Sequence, residues 1–115
     1  MKHSITIITL LFAMSAHADT RSGLDALGRG DYARALEEFR PAAENGDWSA
    51  QGFLAHTYKQ MENYREAYAW FHAAAQCGSK DAGLERAVLE GKMAPSRIGQ
   101  AKKLGDSYYE KYCKQ

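Results

Sequence analysis

The chain has 115 residues, 45% of them hydrophobic and 25% charged, with formal net charge +1. Leaving out Lys2, which lies in the segment read as a signal peptide below, gives fourteen basic and fourteen acidic side chains, so the remaining chain is neutral overall. Long-range attraction to nucleic acid or to an anionic membrane then has no source, and a chain of this size supplies one small domain.

The first segment has a basic start at Lys2, a largely apolar run from Ile5 to Met14, and the small-x-small pattern Ala16-His17-Ala18. Those three features in that order predict a secretory signal peptide over residues 1–18, cut after Ala18. The apolar run is about ten residues and rises ~15 Å as a helix, half of the ~30 Å hydrocarbon core, so stable membrane insertion after cleavage is not expected. Residues 19–115 then form one exported domain, and no cysteine lies at the cut to carry a lipid.

Beyond it the chain repeats itself at an offset of 32: Tyr32, Ala35, Phe39, Ala42, Ala43, Gly46 and Ala50 fall on Tyr64, Ala67, Phe71, Ala74, Ala75, Gly78 and Ala82. Self-similarity at this period belongs to stacked helical hairpins, each too thin to bury its apolar face alone. Gly46 and Gly78 stand where a helix needs a left-handed residue past its end, and Asp47 and Ser79 follow as caps. Asp31, Asn63 and Ser96 open the second helix of each pair. Helices are predicted over 20–29, 32–45, 48–60, 64–77, 80–91 and 97–112, which makes about three hairpins.

Apolar residues recur at three and four, so the elements are helices and no strand is predicted. Ala35, Phe39 and Ala42 set small, large and small side chains along one face, and Ala67, Phe71 and Ala74 repeat them. Small residues admit the neighbouring helix and the rings fill the space between. Pro41 interrupts the first copy; it deletes one helical hydrogen bond and predicts a kink between Glu37 and Pro41. Acids outnumber bases seven to four from Asp31 to Glu66, and bases outnumber acids eight to five from Lys80 to Lys114.

Cys77 ends one second helix and Cys113 ends the last. In a stack of parallel second helices both sulfurs reach the same end, and an oxidising compartment would let them join. Two unpaired thiols, or pairing between chains through Cys113, are the alternatives. A closed loop of this length contributes about 4 kcal/mol on the chain-entropy model.

Nothing in the chain spells out catalysis. His56 and His72 are sixteen residues apart with no metal-ligand spacing, no Cys pair has zinc spacing, and no G-x-S-x-G turn or phosphate-binding glycine loop is present. Glu37-Glu38 and Glu85 with Glu90 read as solvated helix faces. No cofactor, no metal and no enzymatic activity are expected.

The run Ala50-Gln51, Leu54-Ala55, Tyr58, Ala67, Trp70-Phe71, Ala73-Ala74 and Gly78 resembles the Sel-one-like repeat, a relative of the tetratricopeptide repeat. The first copy is similar through Ala35, Phe39, Pro41, Ala42-Ala43 and Gly46. A third, divergent copy keeps a helix from Asp81 to Glu90, then Met93-Ala94-Pro95, Ala101 and Leu104. The inter-helix segment is shortened here to Gln60-Met61-Glu62-Asn63, which removes whatever the longer loop of relatives contributes to binding.

The resemblance implies an all-α, right-handed stack of hairpins whose concave face binds a protein or peptide partner, in a small bacterial protein of the periplasm or the medium. Carried over to the middle hairpin, it points Ser49, Gly52, His56 and Lys59 into that face. Gly52 removes bulk, while His56 and Lys59 offer donors to a carbonyl or carboxylate. A small-molecule binder or weak hydrolase on the same stack, and a self-assembling structural piece joined through apolar edges near Leu24, Leu27 and Tyr108, are the alternative functions.

Overall fold

The computed structural model describes residues 20–114, so the expected signal peptide lies outside the described residues. These described residues form six helices: α1 over 20–28, α2 Tyr32–Glu44, α3 Trp48–Gln60, α4 Tyr64–Cys77, α5 Lys80–Glu90 and α6 Pro95–Tyr112. Among the described residues there is no strand; α2 to α5 pack each on the next and α6 packs on α4, as a stack of helical hairpins. No described helix is long and apolar enough to cross a membrane.

One local device, repeated every sixteen residues, produces the folding back. The amide of Asp31 donates to the Ala26 carbonyl, that of Asp47 to Ala42, that of Asn63 to Tyr58 and that of Ser79 to Ala74, at 2.9, 3.1, 2.9 and 3.0 Å. Each bond closes the end of one helix in the manner of a Schellman turn. The same four residues cap the next helix, their side chains accepting from Arg34, Ser49, Glu66 and Ala82 amides. A single residue therefore ends one helix and starts its successor, which leaves no slack in the turn.

The turn needs a positive φ just before that residue, and Gly30, Gly46 and Gly78 supply it at 77°, 89° and 133°. At the shortened segment the position is held by Glu62, with φ 60°. A side chain there costs about 1 kcal/mol against glycine. The hairpin still closes with the same geometry, so the rest of the packing supports the strain.

Phe39, Leu54, Tyr68, Trp70, Phe71 and Leu89 are fully buried among alanines at 35, 43, 50, 55, 67 and 74. The phenyl of Phe39 packs at 5.4 Å from that of Phe53 and lies so close over Gly23 that a methyl there would come within 2.6 Å of it. The rings thus seat against small residues of the adjoining helix, as the repeat predicts. Helix α2 continues through Pro41 to Glu44, the proline falling in its last four residues.

Helix α4 is buried at every position from Ala67 to Ala74, which no one-sided stripe would produce. It is covered by α3, α5 and α6 together, and α6 runs the length of its remaining face. Trp70 stacks under Tyr108 and Tyr112, with ring centroids 4.2 and 5.7 Å away. Gly105 lets the two backbones approach until an added Cβ would meet the Ala69 carbonyl at 2.8 Å and His72 at 2.7 Å.

Polar groups lock the same seam. Arg86 of α5 is a donor only, so Nδ1 of buried His72 accepts from it at 2.8 Å and Nε2–H is left to donate to Asp106 of α6 at 2.7 Å. That bond, more than any other influence, holds the Asp106 carboxyl below its ordinary range. Tyr108 donates to Glu66 at 2.8 Å, and burial followed by this bond pushes its hydroxyl far above the usual phenol value. At the end of the seam Cys77 and Cys113 meet at disulfide distance, their Cα atoms 5.9 Å apart.

One boundary differs from the sequence expectation by more than a residue. Helix α6 begins at Pro95 rather than at residue 97, with Ala94 in the cap position and no side-chain capping bond, so Ser96 is not its N-cap. Proline fits the first helical position because its φ is already helical and its missing N–H would have had no partner there.

Candidate functional site

The opposite flank of the stack is open. Asp47 starts α3 by accepting from the amides of Ser49 and Ala50 at 2.9 and 3.3 Å, and Ser79 starts α5 in the same way. Both helices therefore leave their turns from the same end of the molecule, with Gly46 and Gly78 behind them. On α3, residues 50, 51, 54, 55 and 57 face inward. Positions 49, 52, 53 and 56 consequently turn toward α5, at the spacing of a helix face.

Between them lies a groove of about 430 Å³. Phe53 and Phe71 form its apolar floor with Ala82, Ser49, Gly52 and His56 form one wall, and Ser79, Asp81, Leu84 and Glu85 form the other. Trp48 stands at the mouth over the α4–α5 turn, its indole beside Gly78. Trp48 is 46% exposed and Leu84 69%, and Val88, one turn beyond Leu84 on α5, is 56% exposed. Large apolar side chains held open at the lip of a concavity are how recognition surfaces differ from ordinary ones.

His56 sits edge-on against the Phe71 ring, with centroids 4.9 Å apart and planes at 86°. Burial pushes its pKa down; the Glu85 carboxylate opposes this and Lys59 adds to it. The imidazole is therefore neutral at neutral pH, with one nitrogen to donate and one to accept. No heavy atom lies within 4 Å of where a Cβ on Gly52 would be, so that glycine opens the groove rather than admitting a helix.

Three of the four residues singled out from the sequence, Ser49, Gly52 and His56, line this groove together. Lys59 is not among the residues that line it. Its ammonium pairs with Glu85 at 3.2 Å, bridging α3 and α5 at the end of the groove. Glu85 and Glu90 reach solvent and also have partners: Glu85 is in that bridge, and Glu90 accepts from Tyr68 at 2.8 Å. Burial, then that hydrogen bond, raises the Tyr68 hydroxyl to about 12.

Trp48, Phe53, Asp81 and Leu84 were not singled out by the repeat pattern. A signal for one of them, Leu84, was present, since Leu84 and Val88 put apolar groups four apart on a helix whose inward residues are Ala82 and Leu89. Among the described residues no three His, Cys, Asp or Glu side chains come together in a metal-holding group. The sequence matches no protein-family profile, and it matches no curated protein.

Proposed function

We propose that this chain is an exported, non-catalytic helical-repeat protein of the Sel-one-like kind, a binding or scaffolding module that holds a protein or peptide partner in the α3–α5 groove. The single observation that carries this reading is the exposure of Trp48 and Leu84 across an aromatic floor of Phe53 and Phe71. Leaving two such side chains in water forgoes stability that burial would return, and a partner that covers them recovers it. Ser49 and His56 supply hydrogen bonds to that partner's backbone, and Gly52 gives it room. Lys59 acts at one remove, by fixing Glu85.

Cleavage after Ala18 and residence in a bacterial periplasm belong to the same proposal. A Cys77–Cys113 pair at disulfide distance suits an oxidising compartment, where small domains use such links. The test is a photo-crosslinking amino acid placed at Leu84 and, separately, at exposed Lys103 of α6, in cells that make the protein. The expected result is a discrete adduct from position 84, lost with Trp48→Ala, and none from position 103. Equal adducts from both positions, or none from position 84, would remove the groove as the binding face.

A further inference from the structure

We propose that the groove selects a cationic segment, in which a large apolar side chain seats on Phe53 and Phe71 and an adjoining lysine or arginine is held by Asp81 and Glu85. This rests on the groove being the peptide site and narrows its occupant. The charges at the mouth carry the inference. Two carboxylates, Asp81 and Glu85, line the α5 wall, and among the described residues Asp81 makes no ion pair.

No lysine or arginine lines the groove: Lys59 is tied to Oε2 of Glu85, and Lys80, next to Asp81 in the chain, is exposed and outside the lining. His56, which burial keeps neutral, adds no positive charge to the wall. A partner's carboxylate inside the groove would therefore meet two acids and no basic side chain of the lining, the reverse of what Lys59 suggests when it is read along the sequence alone. An ammonium or guanidinium meets one unpaired carboxylate, one shared carboxylate and the exposed face of Trp48. The apolar anchor is set by the floor, where a leucine or aromatic side chain covers the half-buried ring of Phe53 beside the buried Phe71.

Four capped hexapeptides, identical except at two adjoining positions, separate the two levels of the claim. They carry leucine–lysine, leucine–glutamine, leucine–glutamate and glycine–lysine, and each is titrated into the isotope-labelled protein while the Ser49, Gly52 and Trp48 indole N–H signals are followed. The expected order is leucine–lysine tightest and leucine–glutamate weakest. The lysine peptide should exceed the glutamine peptide by about five-fold, the upper range for one partly exposed ion pair.

With Asp81→Asn that preference should shrink while the rest of the amide spectrum stays in place, since the Asp81 side chain is exposed. Groove signals that respond alike to the first three peptides would overturn the charge selection and leave the groove as a peptide site. Stronger binding of the glutamate peptide would do the same. Silence of the groove signals with all four at millimolar concentration would overturn both.

Discussion

Along one flank of α4, Trp70 lies beneath Tyr108 and Tyr112, Gly105 admits a backbone to contact, and Cys77 meets Cys113. Along the other, Trp48 and Leu84 stand in water on either side of two phenyl rings. Both flanks use aromatic and small residues, yet the first stacks its rings on one another and the second leaves a groove beside them. A chain this small has little core to spare, so its stability is concentrated where α6 closes the stack. That concentration is what lets the α3–α5 side keep an unfilled groove.

The comparison breaks most directly at the cysteines. Their sequence separation is 36, and the chain-entropy model gives such a loop about 4 kcal/mol, so Cys77→Ser with Cys113→Ser should lower the urea midpoint steeply under oxidising conditions. A midpoint unchanged by the double substitution would mean that the sulfurs are not joined. Next in size is Gly105→Ala. Its methyl would press on the Ala69 carbonyl, which is backbone and cannot turn aside, so a loss of about 2 kcal/mol is expected in thermal unfolding. On the groove side, Gly52→Ala meets nothing within 4 Å and should cost no more than about 1 kcal/mol, or gain from better helix propensity.

A gain is expected at Glu62→Gly, which relieves the positive φ and should stabilise by about 1 kcal/mol. The groove also responds to pH through His56. Burial lowers its pKa in the folded state, so as pH falls through the unfolded value of about 6.5 the unfolded chain takes up the proton first. Stability should be level above that pH and decline below it until the native pKa is passed. The difference in urea midpoint between the protein and His56→Gln, followed from pH 8 to pH 5, reads this term; a difference independent of pH would contradict it.

Much of the fold was legible because it rests on short-range rules. A glycine that can take positive φ, followed at once by a capping residue, marks a helix end wherever it occurs, and the boundaries of α2, α3 and α4 fall within a residue of those predicted. The start of α6 was less legible, since Ser96 and Pro95 both qualify there and only the backbone path decides. The burial of Phe39 and Phe71 was also readable, because the repeat pairs each ring with alanines at fixed spacing. Of the groove, the α3 residues were reached only through what the repeat resemblance implies, and Asp81, Leu84 and Glu85 come from the next hairpin.

By itself, then, the order of residues determined an all-helical stack, the places where the chain turns, and the rings that go inside, since each depends on contacts within a turn or one helix length. Only the tertiary structure decided which neighbour α6 covers, that Lys59 is tied to Glu85, and that Trp48 and Leu84 line one opening. Those outcomes depend on how far apart two helices lie and what remains between them. Such distances are fixed by packing across the whole stack, and no spacing along the chain encodes them.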